Sequence, residues 1–451
     1  MATVSVSDLA ARYSGRLLQP TDAGFDDARR VHNGLINKRP SLIVQPRNTA
    51  DITDAVKLAH DSGLEVAVKG GGHNVAGRGT IDNGVLIDLS LMKGIHVDVR
   101  NRTARVQGGA TWKEYNRETQ LHGLASTGGV ISSTGVAGLT LGGGLGWLIG
   151  KYGMAVDNLR SVEIVTADGR VLTASSDENA DLFWAVRGGG GNFGVASSFE
   201  FNLHPVGPVV TGGIAAHLFA AGRDVLRFFR DTTASLADEQ TLFAGLVHAP
   251  DGSTKLSALV TCHCGSQPDG EAAVRPLKAF GSPIMDVIGP MPYEAVNQLL
   301  DAAYPKGALN YWKANFLTTL SDDAIDILLD CYSRVPSPMT AIVVEHFHGA
   351  VTRVGVSDTA FPHRSPGFNA VITGEWMNPA DTDKNIQWVR ETYAALKPFM
   401  ASARYVNYLE ADAGGDPLAD AYGPNYARLR QIKAKYDPAN FFHVNQNITP
   451  A

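Results

Sequence analysis

The chain is poor in cysteine and has no long hydrophobic run. Only three cysteines occur among 451 residues, Cys262, Cys264 and Cys331, and none forms a Cys-x-x-Cys pair. A low, odd count without metal-binding spacing predicts a reduced, cytoplasmic protein without a metal site. No apolar stretch approaches the roughly 20 residues of a membrane helix, and the first residues lack the pattern of a signal peptide.

The sequence also has no region in which charges of one sign are concentrated. There are 39 basic and 45 acidic residues, which gives a net charge of −6, and the two signs are interleaved. Without a basic stripe or a polybasic run, neither a nucleic acid nor a membrane surface is an expected partner. The length, with 44% hydrophobic residues, predicts a globular chain of two domains.

Glycine, by contrast, is abundant and unevenly placed. The 48 glycines concentrate at 70–79, 128–153 and 188–194 instead of spreading as they would in a linker. Glycine lets the backbone approach a ligand closely, because no side chain stands in between. The three clusters therefore predict a ligand that is held largely by main chain.

The first cluster follows a short β-branched run that predicts a buried strand, Val66 to Val68. Gly70, Gly71 and Gly72 come next and can take positive φ, so their N–H groups can surround an anion such as a pyrophosphate. His73 follows them directly. The G-x-G-x-x-G dinucleotide pattern fits poorly because no helix opens here, and a surface turn with an ordinary histidine remains an alternative.

The remaining pattern predicts an α+β protein. Residues 1–35 read as helical, and 49–62 as an amphipathic helix between two strands. Between about 209 and 403, five strand candidates alternate with five helix candidates, which suggests a sheet covered on one face. Residues 405–410 read as a strand.

Three motifs in fixed order resemble one family: Gly-Gly-His-Asn at 71–74, Arg-Gly-Gly-Gly-Gly-Asn-Phe-Gly-Val at 187–195 and Asn-Gln-Asn-Ile at 445–448. They are similar to the FAD-linked oxidases of the vanillyl-alcohol-oxidase type, specifically the berberine-bridge-enzyme-like branch. The resemblance covers about 37–207 and 405–450, and more loosely 311–316.

The resemblance implies a two-domain α+β architecture. Residues 1–207, with a core at about 37–207, would form a PCMH-type FAD-binding domain of two α/β subdomains. Residues 208–403 would form a substrate domain, an antiparallel sheet covered by helices. Residues 404–451 would return to the FAD domain.

The resemblance also implies that FAD is bound covalently to His73 through the flavin 8α-methyl carbon. Many relatives add a second bond from a cysteine, but Ile131 stands at that position, so we expect a single bond. Thr134 would gate oxygen at the flavin. The expected FAD-binding residues are Lys69, Gly70, Gly71, Gly72, His73, Asn74, Gly77, Thr127, Gly128, Thr134, Gly135, Gly138, Leu139, Gly142, Gly143, Val195, Asn445 and Asn447.

For the catalytic base, the resemblance points to Tyr405 and Tyr408. Strand alternation would put them on opposite faces, and a neighbouring cation would be needed to lower a phenol pKa from about 10. Buried core tyrosines are the alternative. The expected substrate pocket contains Trp312, Glu345, His348, Asn369 and Val371.

The function implied is an FAD-dependent oxidase. It would remove a hydride from a C–OH or C–N carbon of a small organic substrate and reduce molecular oxygen to hydrogen peroxide. A tailoring enzyme of secondary metabolism, acting as a dehydrogenase or as an oxygenase through a flavin N5-oxide, is an alternative. A flavin-binding protein without turnover is another. The expected state is a monomer or homodimer.

Overall fold

A computed structural model describes residues 9–451. Four sheets and the helices between them form the described chain, in agreement with the predicted α+β class. The α-helices have the following bounds: Phe25–Arg29, Thr49–Asp61, Trp112–Gln120, Val136–Leu141, Ile149–Tyr152, Ala180–Val186, Gly222–Thr233, Gln267–Ala279, Tyr293–Val296, Asp322–Ser333, Thr382–Leu396, Pro417–Tyr422 and Tyr426–Tyr436.

The first sheet has four strands, and the strand before His73 lies at its edge. Their spatial order is Arg16–Leu18, Leu42–Gln45, Val85–Asp88 and Val66–Lys69. The last three are parallel, and Thr49–Asp61 is a helix between two of them, as its periodicity predicts. The Asn48 side chain caps this helix by accepting from the Asp51 N–H. Parallel strands buried on both faces explain why Val66–Lys69 is so apolar.

The second sheet is antiparallel. Its spatial order is Ile95–Asp98, Thr103–Gln107, Val195–Asn202, Leu159–Val165 and Val171–Ser175. The helix Trp112–Gln120 packs near it, and Thr111 and Glu114 form a capping box at the start of that helix. A two-stranded sheet joins Leu124–Ala125 to His204–Pro205.

The large sheet lies between residues 209 and 376 and is antiparallel throughout. Its spatial order is Met285–Asp286, Val209–Leu218, Lys255–His263, Gln240–His248, Ala341–Phe347, Gly367–Trp376 and Leu309–Leu317, with Gly289–Pro292 also paired to Val209–Leu218. Its core packs the helices Gly222–Thr233, Asp322–Ser333 and Thr382–Leu396 against the strands. This is the helix-covered sheet that the sequence pattern between about 209 and 403 predicts.

Two local predictions were wrong. The described part of 1–35 is not continuously helical, since Arg16–Leu18 is a strand and Phe25–Arg29 is a short helix, while residues 1–8 lie outside the described range. Residues 406–408 form a turn of 3₁₀ helix instead of a strand. The Tyr408 N–H donates to the Tyr405 carbonyl at 2.9 Å, so the two rings share one side, with centroids 4.8 Å apart.

The C-terminal tail is hydrogen-bonded to the third glycine cluster. The Asn192 side chain donates to the Gln446 carbonyl at 3.0 Å and accepts from the Ile448 N–H at 2.9 Å. The fully buried Lys433 ammonium donates to the carbonyls of Asn192 and Phe442 and pairs with Asp437. The last residues of the chain therefore lie beside the glycine-rich loops.

Candidate active site

One large cleft runs between the two N-terminal sheets, the large sheet and the tail. All three glycine clusters contribute to its wall, together with the strand ends of the large sheet and residues 405–408. The expected residues that line it are Lys69, Gly70, Gly71, Gly72, His73, Asn74, Thr134, Gly135, Gly138, Leu139, Gly142, Asn445, Trp312, Glu345, Val371, Tyr405 and Tyr408.

The first two glycine-rich loops touch through their backbones. A Cβ atom placed on Gly71 would lie 2.3 Å from the Gly135 nitrogen, and one on Gly135 would lie 2.3 Å from the Gly71 nitrogen. No side chain fits at such distances, so both positions need glycine. This contact brings the loop that carries His73 against the loop that carries Ser133.

His73 is held by two neighbours. Its Nε2 atom lies 2.9 Å from the Ser133 hydroxyl, and its ring contacts the His32 ring at a tilt of 31°, with centroids 4.1 Å apart. Burial is the main cause that lowers the His73 pKa to about 3, and His32 and Lys306 lower it further, whereas the Ser133 backbone raises it. The imidazole is therefore neutral, as a nucleophile must be.

The cleft wall has the features of a site for a large ligand. A Cβ on Gly138 or on Gly191 would meet no protein atom within 4 Å, so these glycines face open space. Asn445 lies on the same wall, and its buried side-chain oxygen Oδ1 has no hydrogen-bond partner among the described residues. The same is true of Thr127 Oγ1 and Asn447 Oδ1, which lie outside the wall. Buried polar atoms are normally paired, so unpaired ones near an open glycine wall fit a ligand with many polar groups, such as a dinucleotide.

Tyr405 presents an oxygen that accepts three hydrogen bonds. The Gly144 and Leu145 N–H groups donate to it at 2.8 and 3.3 Å, and Asn407 Nδ2 donates at 2.9 Å. The Leu139 carbonyl accepts from the same amide nitrogen at 3.0 Å, which fixes the orientation of the Asn407 amide. Burial raises the Tyr405 pKa to about 12, although these donors oppose the rise.

Glu345 and Tyr408 form a second, connected group. Glu345 Oε1 accepts from the Tyr408 hydroxyl at 2.8 Å, and Oε2 accepts from Asn369 Nδ2 at 2.8 Å. Burial raises the Glu345 pKa to about 7, and the two hydrogen bonds oppose the rise. Burial and then the charge of Glu345 raise the Tyr408 pKa. The cation that a tyrosinate would need is not among the groups acting on either described phenol.

Some expected residues lie away from the cleft wall. His348 directly follows the strand Ala341–Phe347; it stacks on His346 with ring centroids 4.7 Å apart, and its Nε2 lies 3.3 Å from the Ala237 carbonyl. Strand alternation explains why it lies away from the wall, because His346 is on the opposite side of the strand from Glu345. Asn369 is behind Glu345 and reaches the site only through it. The other expected residues outside the wall are Gly77, Thr127, Gly128, Gly143, Val195 and Asn447.

The structure adds wall residues that the sequence analysis missed. Val343 and Thr373 line the cleft two positions from Glu345 and Val371, so strand alternation could have found them. Tyr304 also lines it, and no local pattern marks this residue, which lies just after a short 3₁₀ helix. Burial raises the Tyr304 pKa to about 12.

Comparison with known proteins identifies the family. The profile described as FAD binding domain matches residues 40–175, and the profile described as Berberine and berberine like matches residues 404–449. An FAD-linked oxidoreductase from Dictyostelium discoideum is 32% identical over 415 residues, which cover 91% of this chain and 89% of that protein. The (R)-6-hydroxynicotine oxidase of Paenarthrobacter nicotinovorans is 30% identical over 455 residues, with 97% of each chain covered.

Solved structures agree along the whole chain. The crystal structure of 6-hydroxy-D-nicotine oxidase from Arthrobacter nicotinovorans superposes with a TM-score of 0.90 at 29% identity, covering 99% of this chain and 100% of that one. The berberine-bridge-enzyme-like protein 1 of Physcomitrella patens has the same fold, with a TM-score of 0.89 at 23% identity and 99% of each chain covered.

The chain therefore belongs to the FAD-linked oxidoreductases of the berberine-bridge-enzyme-like branch, as its three motifs indicate. It is an FAD-dependent enzyme that oxidises small substrates. In residues 9–451 no helix has the length and apolarity needed to cross a bilayer. The same residues hold no group of three potential metal ligands.

Proposed function

We propose that this enzyme oxidises a C–OH or C–N carbon of a small, largely apolar substrate and passes the electrons to molecular oxygen. The observation that carries the proposal is the hydrogen bond from Tyr408 to Glu345 at the cleft wall. It joins a phenol that faces the substrate space to a buried carboxyl whose pKa is about 7. A proton acceptor with a pKa near the working pH suits general base catalysis.

The proton path follows from the direction of this hydrogen bond. A substrate hydroxyl or amine donates to the Tyr408 oxygen, while the Tyr408 proton moves to Glu345 Oε1. Tyr408 therefore stays neutral overall, and no tyrosinate is required. Asn369 keeps the carboxylate oriented by donating to its second oxygen. The substrate carbon becomes electron-rich as its heteroatom loses the proton, which favours loss of a hydride.

Tyr405 has a different proposed role. Its oxygen already accepts from Gly144, Leu145 and Asn407, so its own O–H is left to point toward the cleft. No acceptor for this proton lies among the described residues. Tyr405 would donate to the substrate heteroatom and fix its position next to Tyr408, whose ring is 4.8 Å away.

Bound FAD would supply the two-electron acceptor and the reaction with oxygen. The two glycine-rich loops and Asn445 would hold it, and we propose a single covalent bond to His73. The neutral imidazole and the position of Ile131 on the cleft wall support this, because an isoleucine cannot form a second bond. Thr134 also lines the cleft, and we propose that this small side chain admits oxygen.

The wall beyond the catalytic groups indicates the kind of substrate. Its apolar residues are Phe243, Leu300, Trp312, Val343 and Val371; Glu345 is the acidic group, and Tyr304 and Thr373 add one hydroxyl each. An apolar wall with few polar groups suits an aromatic or alicyclic amine or alcohol better than a sugar, because a sugar's hydroxyls would lose their water without replacement. Relatives named 6-hydroxynicotine oxidase and tetrahydroberberine oxidase are compatible with this choice.

The test is anaerobic mixing of the enzyme with matched compounds: 1-phenylethylamine, 1-phenylethanol and cellobiose. The proposal expects bleaching of the flavin by an aryl amine or alcohol and none by cellobiose. Admission of air should then release one hydrogen peroxide for each substrate oxidised. Bleaching by cellobiose alone would contradict the substrate class, and reoxidation only by an artificial acceptor would contradict the use of oxygen.

A further inference from the structure

Ser133 lies where it can govern the attachment of FAD to His73. Its hydroxyl is 2.9 Å from His73 Nε2, on a loop that touches the His73 loop through Gly71 and Gly135. The Ser133 side of the imidazole is also the side open to water, since Ser133 is an exposed residue. The other ring nitrogen, Nδ1, has no hydrogen-bond partner in the part of the chain that the structure describes.

These contacts decide which nitrogen can react. A neutral imidazole carries one proton, and the nitrogen without it is the nucleophile. A proton on Nε2 has the Ser133 oxygen as an acceptor, whereas a proton on Nδ1 has no acceptor among the described residues. The favoured tautomer therefore keeps the proton on Nε2 and leaves the lone pair on Nδ1.

The loop that carries Ser133 is fixed from several sides. The Trp112 and Lys113 N–H groups donate to the Thr134 and Ser132 carbonyls at 3.0 and 2.8 Å. The Ser132 N–H and hydroxyl both donate to the Asp301 carboxylate, at 2.8 and 2.5 Å. The His32 ring lies against the His73 imidazole at a tilt of 31°, and its own Nε2 lies 3.1 Å from the Tyr304 carbonyl.

From this arrangement we infer that Ser133 is the positioning residue for covalent attachment: it selects the reactive tautomer of His73 and carries the released proton to water. The inference rests on the proposed attachment to His73. One bond forms between His73 Nδ1 and the 8α-carbon. The imidazole gives up its Nε2 proton through Ser133, and the methyl group gives up one proton. Two electrons pass through the flavin to oxygen, which takes both protons and becomes hydrogen peroxide.

The test follows attachment itself instead of turnover. The full-length chain and its variants are purified, FAD and air are supplied, and samples are acid-precipitated over time to measure the flavin that stays with the protein. Ser133→Ala should slow attachment about tenfold, which corresponds to the free energy of one hydrogen bond, while non-covalent FAD binding is unchanged. Ser133→Thr keeps a hydroxyl and should restore the rate. Circular dichroism checks that each variant is folded.

Ser132→Ala is the matched control, because its hydroxyl holds the loop to Asp301 and does not touch His73. Wild-type attachment in Ser133→Ala, or equal slowing in Ser132→Ala and Ser133→Ala, would overturn the role of the Ser133 hydroxyl. A wild-type chain that releases all its FAD into acid would instead overturn the attachment to His73. The two failures are therefore distinguishable.

Discussion

Replacing Glu345 by glutamine should slow catalysis and, at the same time, make the folded chain more stable. Glutamine keeps nearly the same shape but cannot take a proton from Tyr408. Flavin reduction by substrate should therefore fall about 10²- to 10⁴-fold, the usual contribution of a general base. In the wild type the rate should rise with pH as Glu345 ionises near pH 7, and the variant should lose that dependence.

The same change should stabilise the folded chain at neutral and higher pH. Burial raises the Glu345 pKa from 4.5 to about 7, and at 1.36 kcal/mol per pKa unit the difference is about 3 kcal/mol. Because burial raises the pKa of this acid in the folded state, the wild type has its full free energy of unfolding below pH 4.5. It loses the amount just given as pH rises to about 7. Glutamine avoids the loss, so its gain should approach about 3 kcal/mol, less the cost of placing its amide against Asn369.

The assay is stopped-flow reduction together with chemical unfolding at pH 5 and pH 8. Glu375 supplies the control: its carboxyl is fully buried without a hydrogen-bond partner in residues 9–451, burial raises its pKa to about 8, and it lies outside the cleft wall. Glu375→Gln should gain stability at pH 8 without loss of reduction rate. A Glu345→Gln enzyme with the wild-type rate and pH profile would refute the assignment of the base.

Three further changes test the wall of the site. Tyr405→Phe should lower the reduction rate about tenfold or more, because it removes the O–H that we propose donates to the substrate heteroatom, and stopped-flow mixing measures that rate. Gly138→Leu should leave the thermal midpoint near the wild-type value but abolish FAD binding, since the new side chain meets open space; retained FAD would show that the cofactor lies elsewhere. Gly71→Ala should destabilise the fold by about 1–3 kcal/mol, because its Cβ would lie 2.3 Å from the Gly135 nitrogen, and an unfolding titration checks this.

The features that could be predicted from the sequence are those that depend on neighbours along the chain. Glycine clusters, the strand before His73 and the helix Thr49–Asp61 need only local pattern, and each is present. The strand Leu309–Leu317 was not predicted, because Lys313 and Asn315 are polar at its centre. Their partners, Glu410 and Tyr393, come from distant parts of the chain.

The proposed catalytic groups were harder to predict, because their arrangement also depends on contacts between distant parts of the chain. A three-residue helical turn at Val406–Tyr408 has too few positions to show a period, so alternation put the two tyrosines on opposite faces. Glu345 was predicted to face the pocket, but its pairing with Tyr408 joins residues 63 positions apart. That contact could be found only in three dimensions.

The tail described above affects when the enzyme can mature. Asn192 is tied to Gln446 and Ile448, and the cleft wall extends from Val66 to Gln446. Residues up to Ile448 therefore have to leave the ribosome before this enclosure closes. We therefore expect FAD to bind only after this segment has been synthesised, and a nascent chain stalled before residue 446 should stay colourless.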